Sequence, residues 1–430
     1  MFKENFFQSF TYIIALSVMT LFFWFFGLEE IGMPLFAIAA VATLSFNKNG
    51  ITVVPLFMNM MFMVSQTEWS LDLIPVYLYI LPIVLIIGFL VHIIRFRPKL
   101  FTGKLLYPLL LLLGVMLLSM INAEFIDINY MFYCLIGLFY LLIYFFFKGS
   151  AKGDNLQFII RLFVISGILV SFQVLIFYLR VDDVVLALET KNLDLGWGIS
   201  NFVATYLIIF ISATFYFIKK YKLHIFWILV AAFEIIMLFY TLSRGGIFAF
   251  IITFVLLIYY LFHGYDHKFS MAVNVVIGVV VVIITIILAR EYFAAVWHRL
   301  SDGFFVDNGR FDLWGQAWEK FKSHPIFGAG LFARVSDSYF GFYHNTFIHT
   351  IATLGLVGLA SVIWQIVEIV KMFINKWTVE KSILLIALLG ANIHGMVDNV
   401  YYMPQFMIIF FIIIAAVENY NETIVEVEVR

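Results

Sequence analysis

Long apolar runs separated by short polar segments dominate the sequence of 430 residues. A helix needs about 20 apolar residues to cross a bilayer, and fourteen runs come near that length. They lie near residues 6–27, 31–46, 51–65, 73–94, 105–121, 128–147, 158–179, 199–218, 223–241, 245–262, 271–289, 343–370, 382–397 and 402–418. The second and third runs are short for a full span, so we expect them to tilt, to re-enter or to form a hairpin. The pattern predicts an all-α, polytopic transmembrane helix bundle of 12–14 spans.

Basic residues occur in every second connecting segment. Because Lys and Arg in short loops mark the cytoplasmic side, these segments are assigned to the cytoplasm, and the alternate segments, which are mostly acidic, are assigned to the outside. The cytoplasmic cations are Lys48, Arg95, Arg97, Lys99, Lys104, Lys148, Lys152, Lys219, Lys220, Lys222, Lys268, Lys371, Lys376 and Lys381. The alternation predicts that both termini are cytoplasmic.

One connection, about residues 290–342, is much longer than the others. The alternation of cytoplasmic and external segments places it outside. Within it, residues 310–322 predict an amphipathic helix that His324-Pro325 ends. Its aromatic residues at helical spacing are Phe311, Trp314, Trp318 and Phe321. Aromatic residues on one face and charges on the other suit a helix at the outer headgroup boundary. The two tryptophans could instead stack on sugar rings.

The composition excludes a soluble enzyme, because 64% of the residues are apolar and 12% are charged. The one cysteine, Cys134, lies in an apolar run, so neither a disulfide framework nor a thiolate metal cluster is expected. The net charge of −1 says little about partners, because the side of the bilayer on which each charge lies matters more. No nucleic-acid partner is expected.

Two arginines are candidate phosphate ligands at the outer face. Arg244 lies between two apolar helices, and an arginine near hydrocarbon costs about 2–3 kcal/mol, so such residues are functional candidates. Gly245 and Gly246 would let backbone N–H groups and the guanidinium approach one phosphate. Arg310 opens the loop helix, where unpaired N–H groups favour an anion. The alternatives are a snorkelling interfacial arginine for Arg244 and a solvated surface cation for Arg310.

His344 begins a later helix at the same face, where its imidazole could take a proton from a sugar hydroxyl. Asn345 could orient it or bind sugar. His394 and Asp398 are four residues apart, which predicts one helical face at the outer end of the penultimate span. They could support His344 or a substrate. A metal held by these three side chains is conceivable, but their spacing is not that of a metal site, and none is predicted.

Three other features have structural interpretations. Glu234 lies in the middle of an apolar helix, where it is protonated or paired with a residue that the sequence does not identify. Gly355 and Gly358 are expected to permit close helix packing. Residues 327–330, Phe-Gly-Ala-Gly, lack the full glycine spacing of a nucleotide fingerprint. We therefore expect a tight turn that returns the loop to the membrane.

With these residues in view, the second half of the chain resembles the O-antigen ligase and polysaccharide polymerase family of bacterial envelopes. The resemblance covers about residues 196–404 and rests on the order of several short motifs. They are residues 198–201 (Gly-Ile-Ser-Asn), 241–246 (Thr-Leu-Ser-Arg-Gly-Gly), Arg310 with Trp314, 324–330 (His-Pro-Ile-Phe-Gly-Ala-Gly), His344-Asn345 and the glycines of 354–358. We therefore divide the chain into N-terminal transmembrane helices, residues 1–195, and a family-like region, residues 196–430, that includes the loop.

The resemblance implies a helical glycosyltransferase that uses an undecaprenyl-diphosphate-linked sugar outside the membrane, without a nucleotide sugar, a cofactor or an obligatory metal. Carried over by motif, Arg244 and Arg310 would bind the donor diphosphate and His344 would assist the acceptor hydroxyl. The further substrate-binding candidates are Asn201, Ser243, Gly245, Trp314, Arg334, Asn345, His394 and Asp398. Arg334 matches no motif of the family.

The expected activity is polymerisation of lipid-linked repeat units into a capsule, exopolysaccharide or O-antigen type of surface glycan. The expected location is the bacterial cytoplasmic membrane, with the active site outside. Expected partners are the lipid-linked donor and acceptor, membrane lipids, a chain-length regulator and a flippase. One alternative is a ligase that transfers the glycan to a lipid, protein or wall acceptor. The other is a transporter, which should place charges at the bilayer midplane on broken helices.

Overall fold

The computed structural model describes residues 6–64, 76–124, 138, 141–221, 224–264, 268–301, 309–331 and 343–428. In these ranges the chain forms seventeen α-helices joined by turns and short 3-10 segments, which confirms the all-α prediction. The helices are α1 Phe10–Phe26, α2 Glu29–Phe46, α3 Val54–Met63, α4 Val76–Phe96, α5 Leu106–Ser119, α6 Leu141–Ser150, α7 Leu156–Arg180, α8 Val184–Thr190, α9 Ser200–Lys220, α10 His224–Tyr240, α11 Arg244–Phe262, α12 Lys268–Leu288, α13 Arg290–Ser301, α14 Arg310–Ser323, α15 Thr346–Ile374, α16 Val379–His394 and α17 Pro404–Glu428.

Seven of the described helices are long and apolar enough to cross a bilayer, so the chain is a multi-pass membrane protein. They are α2, α7, α9, α11, α12, α15 and residues 406–423 within α17. Several shorter apolar helices, including α1, α5 and α10, accompany them. The second predicted run forms an 18-residue helix, which is long enough to span. The third forms a 3-10 turn and a helix of 10 residues, half of the usual spanning length.

The chain divides into two compact units. The first contains Met1–Pro98, Asn155–Phe304 and Val379–Gly390. Its central helix is α9, which packs against α7, α10 and α11 and is buried over almost its whole length. A helix that is apolar on every side is expected at such a position.

Glu234 on α10 belongs to this first unit, and its partner is Thr214 of α9. The Thr214 hydroxyl lies 2.8 Å from Glu234 Oε2, and the carboxyl group is fully buried. Gly167 on α7 leaves room for it, because a Cβ at this glycine would lie 2.3 Å from Glu234 Oε1. The expectation was a carboxyl that is either protonated or paired, and the structure supplies a hydrogen-bond partner that links two neighbouring helices.

The second unit contains Lys99–Asp154, Phe305–Thr378 and Ala391–Arg430. Its longest helix, α15, packs against α5 and α14. The small core beneath α14 is formed by Ala317, Tyr343 and Ala352, with Leu313 and Ile348 packed against it. The predicted amphipathic helix is present: α14 begins at Arg310, as expected, and ends at Ser323.

Helix α15 is broken at Gly355, which has φ 64° and ψ −161°. The preceding loop fills the break, because Leu356 N donates to Pro325 O at 2.9 Å and Val357 N donates to Ile326 O at 3.2 Å. The break therefore leaves these backbone groups satisfied, as a hydrocarbon environment requires. The expectation that Gly355 serves helix packing is corrected: a Cβ there would lie 2.5 Å from the Ile326 carbonyl oxygen.

The turn expected at residues 327–330 is present and docks on the same break. Gly328 and Gly330 both have positive φ, of 75° and 107°. Ala329 N and Gly330 N donate to the carbonyl groups of residues 352 and 353, each at 3.0 Å. A Cβ on Gly328 would lie 2.2 Å from the Thr353 carbonyl carbon, so this position requires glycine.

Candidate functional site

In the first unit, Arg244 is the first residue of α11. Ser243 caps the helix: its hydroxyl accepts a hydrogen bond from Gly246 N at 3.2 Å and donates to Asn201 Oδ1 at 2.9 Å. Capping fixes the first turn, and Arg244 is half-buried there. The structure therefore brings together three predicted site residues, Asn201, Ser243 and Arg244, at the start of a helix, where the dipole favours an anion.

Lys191 also contacts this group, although it was not among the predicted site residues. Its Nζ donates to Asn201 Oδ1 at 2.8 Å. Lys191 ends α8 in the left-handed conformation, with φ 57°. Lys191 therefore adds a cation beside the hydrogen bond between Asn201 and Ser243, next to the start of α11 where Arg244 lies, which raises the local positive potential. A lysine among acidic loops was the one hint of this role in the sequence.

The two glycines after Arg244 have different environments. Gly246 gives its N–H to Ser243, and a Cβ there would lie 2.6 Å from the Cβ of Ala204 on α9. The expectation that its N–H would approach a ligand is therefore wrong, because the glycine serves the contact between α11 and α9. Gly245 is half-exposed and stays a candidate for ligand contact.

In the second unit, His344 and Asp398 form a pair. His344 Nδ1 lies 3.4 Å from Asp398 Oδ1, and the two side chains are 33% and 6% exposed. His344 has φ 46°, in the left-handed region that non-glycine residues seldom adopt. Such strain persists when the surroundings fix the backbone, and it concentrates at functional sites.

The residues on either side hold His344 in this conformation. Trp314 Nε1 donates to the carbonyl oxygen of Tyr343 at 2.9 Å. Asn345 caps α15: its Oδ1 accepts from Phe347 N and Ile348 N, and its Nδ2 donates to Met396 O at 2.8 Å. Asn345 therefore orients His344 through the backbone, and Trp314 fixes the preceding residue through its indole N–H.

Asp398 carries the negative charge of the pair. Burial alone would raise the pKa of its carboxyl, but the hydrogen bond to His344, the charges of His394 and His344, and the N–H of Asn399 hold this pKa at about 2. The backbone N–H of Asn399 donates to Oδ1 at 2.8 Å. The carboxylate is therefore ionised at neutral pH.

His394 and Asp398 do not share a helical face, so that prediction is wrong. Helix α16 ends at His394, and i→i+3 hydrogen bonds at Met396 and Val397 tighten the chain into a turn. The carbonyl of Gly395 accepts from Thr346 N at 2.8 Å, which ties this turn to the start of α15. The turn, rather than a helix, presents Asp398 to His344.

Arg310 is half-buried at the first position of α14. It lies four residues before Trp314, on the same side of the helix, and Trp314 bonds the residue before His344. Arg334 lies outside the described residues. Across the described ranges, no cluster of three His, Cys, Asp or Glu side chains is arranged to hold a metal ion.

The two units thus carry different chemistry. Lys191, Asn201 and Ser243 meet by hydrogen bonds at the start of α11, whose first residue is Arg244, and a cationic helix start suits a phosphate group. His344 and Asp398 form an imidazole oriented by an ionised carboxylate, which suits proton transfer.

Comparison with known proteins gives one family match. Residues 227–363, about a third of the chain, match the family model described as O-antigen ligase. The matched stretch contains Arg244, Arg310, His344 and Gly355 and leaves out Asn201 and Asp398 on either side. A search of curated proteins gives no match.

Proposed function

We propose, from the premise that residues 227–363 belong to the O-antigen ligase family of membrane glycosyltransferases, that this chain polymerises undecaprenyl-diphosphate-linked oligosaccharide repeat units. The observation that carries the proposal furthest is the His344–Asp398 pair, because glycosyl transfer to a hydroxyl needs a group that accepts its proton. The pair is partly exposed on the histidine side and buried on the aspartate side.

The geometry of the pair supports a different role for each imidazole nitrogen. The ionised Asp398 carboxylate lies next to Nδ1, which favours the tautomer with the proton on Nδ1 and leaves Nε2 free to accept one. In the proposed reaction, Nε2 takes the proton of the acceptor hydroxyl. Asp398 then stabilises the imidazolium that forms, as the carboxylate does in other His–Asp pairs.

Arg244 and Arg310 are proposed to bind the donor diphosphate. The acceptor oxygen bonds to the anomeric carbon while the bond from that carbon to the diphosphate oxygen breaks. The diphosphate leaves with the electron pair and gains negative charge, which fixed guanidinium groups stabilise. A single displacement inverts the anomeric configuration. The bilayer confines both lipid-linked substrates to two dimensions, which favours their encounter.

The proposed location is the bacterial cytoplasmic membrane, with both clusters facing the outside and both termini in the cytoplasm. The alternation of basic and acidic loops supports this orientation. A chain-length regulator and a flippase that delivers the donor are proposed partners. As proposed, the reaction draws its charge stabilisation from the two arginines and uses neither a nucleotide sugar nor an obligatory metal.

Two alternative functions are a ligase and a transporter. A ligase would use the same chemistry on a different acceptor, and polymerase is preferred because no sequence feature points to a lipid-core or protein acceptor. A transporter often has broken helices, and α15 is broken at Gly355. The backbone of residues 325–330 fills that break with hydrogen bonds, as expected of a structural device.

The experiment supplies the purified protein in lipid nanodiscs with lipid-linked repeat units. We expect chains longer than one repeat, with one polyprenyl diphosphate released for each bond formed. A parallel reaction offers a lipid-core acceptor together with the same donor. Transfer to that acceptor without chain extension would identify a ligase, and no transfer to either acceptor would overturn the proposal.

A further inference from the structure

The outer face of α14 carries two exposed aromatic rings with a glycine between them. Phe311, Gly315 and Trp318 occupy successive turns of one face, and the two aromatic side chains are 67% and 54% exposed. The distance along the axis from the first to the last is about 10 Å at 1.5 Å per residue. Each ring also contacts a neighbouring aromatic ring, Trp314 at 5.4 Å and Phe321 at 5.0 Å between centroids, so both are held in place.

The described residues around Gly315 do not require a glycine at this position. Glycine in a helix interior is destabilising relative to alanine, and Gly315 is not among the glycines with positive φ. A Cβ built on it would meet no atom of the described part of the chain within 4 Å. The missing side chain therefore leaves a flat patch of backbone between two rings, which lets a ligand from outside the chain approach closely.

A polar row runs beside this patch. Asp312, Gln316 and Glu319 are exposed and follow each other at one-turn spacing, about a quarter turn from the aromatic line. Glu319 pairs with Lys322 at 2.7 Å. A sugar chain matches this arrangement, because its C–H faces can lie on aromatic rings while its hydroxyl edges donate to carboxylate and amide oxygens. A membrane surface fits less well, since its phosphates would meet two carboxylates.

The inner face of α14 fixes this surface close to the candidate proton acceptor. Leu313 and Ala317 pack on the core beneath the helix. Trp314 bonds the carbonyl oxygen of Tyr343, the residue before His344. A ligand on the outer face of α14 therefore lies on the helix that positions His344.

We propose that the outer face of α14 binds the sugar chain of the acceptor through Phe311, Gly315 and Trp318, with the polar row contacting its hydroxyl groups. This inference rests on the proposed glycosyl transfer, since it assigns the acceptor side of the same site. Binding here would hold the growing chain while its terminal hydroxyl reaches His344.

The experiment measures binding of lipid-free polysaccharide, released by mild acid from the surface of the cells that make the protein, to purified protein in detergent. Replacing Gly315 by Leu fills the flat patch while favouring the helix, so lost binding cannot be ascribed to an unfolded α14. We expect Gly315→Leu and Trp318→Ala each to weaken binding about tenfold. Gly114→Leu is the matched control, because a Cβ at this glycine of α5 also meets open space, and we expect unchanged binding.

Measuring glycosyl transfer as well as polysaccharide binding distinguishes a failure of this inference from a failure of the proposed function. With active protein, we expect Gly315→Leu to keep its initial rate on single repeat units and to produce shorter chains. If the wild type binds the polysaccharide but catalyses no transfer, the proposed function fails and the inference stands. Wild-type affinity in Gly315→Leu and Trp318→Ala, or no binding by the wild type, would overturn the inference. Quenching of Trp318 by brominated phospholipid in nanodiscs, without polysaccharide binding, would instead identify a membrane anchor.

Discussion

The cluster around Arg244 and the pair formed by His344 and Asp398 are built in different ways. The first is a helix start that begins with an arginine, where a capping serine and a lysine both donate to one asparagine. The second is a strained loop residue next to a buried carboxylate, held by a tryptophan and an asparagine on either side. A helix start attracts an anion through its backbone N–H groups and nearby cations, whereas proton transfer needs an imidazole held in one orientation. In the proposed mechanism, this difference corresponds to a division of roles, with donor binding in the first region and proton transfer in the second.

The largest expected effect is on the donor side. We expect Arg244→Ala to reduce chain extension about 10³-fold, because the leaving diphosphate loses a fixed guanidinium group. Arg244→Lys should recover part of this loss, since an ammonium keeps the charge without the planar fork. The measurement is the rate of bond formation in nanodiscs. Arg180→Ala is the control, because Arg180 packs on an aromatic ring, with its Cζ 4.0 Å from the centroid of Phe25. Unchanged polymer length in Arg244→Ala would show that Arg244 is an interfacial anchor.

Replacing His344 tests the other half of the comparison. We expect His344→Ala to reduce the rate at saturating donor about 10²-fold, since general base catalysis contributes at least that much. The donor concentration at half-maximal rate should stay within about twofold, because the histidine does not hold the diphosphate. A variant that loses donor binding instead of rate would break the division between the two regions.

Asp398→Asn should reduce the rate by no more than His344→Ala does, up to about 10²-fold, because the histidine remains but the amide neither stabilises the imidazolium nor fixes its tautomer. It should also change the response to acid. The folded pKa of Asp398 is about 2, below the ordinary value of about 4. Its stabilising contribution is therefore complete above about pH 4 and is lost as the pH falls through 2. Thermal unfolding of the two proteins should differ at pH 6 and converge towards pH 2, and a constant difference would contradict the assigned charge.

The smallest effect is expected for Lys191→Met, which removes the second cation beside Asn201. The donor concentration at half-maximal rate should rise severalfold, and the rate at saturation should stay the same, because uniform binding is lost. The comparison is sharpened if this change and Arg244→Ala affect different kinetic constants. An equal loss of saturating rate would place Lys191 in the same role as Arg244.

Local patterns predicted the parts of the structure that depend on nearby residues. The start of α14 at Arg310, its aromatic periodicity and the burial of Glu234 all follow from spacing along one helix. The break in α15 did not follow, because its hydrogen bonds join residues 325–330 to residues 23 or 31 positions later. Asp398 was wrongly predicted to lie on a helical face with His394, because the four-residue spacing suggested a continuing helix. The helix ends at His394, and the chain turns before Asp398. Lys191 was missed as a site residue because its contact with Asn201 depends on a left-handed residue at the end of α8.

The most direct test of the whole account is the side of the membrane on which the two regions lie. Ile199→Cys lies beside the Arg244 cluster and Phe347→Cys beside His344, and both positions are exposed. Each would be introduced with Cys134→Ser, which removes the native cysteine. Trp377→Cys, in a predicted cytoplasmic loop and 55% exposed, is the control. A membrane-impermeant maleimide on intact cells should label the first two and spare the third until the cells are permeabilised. Protection of either Ile199→Cys or Phe347→Cys in intact cells would contradict the account.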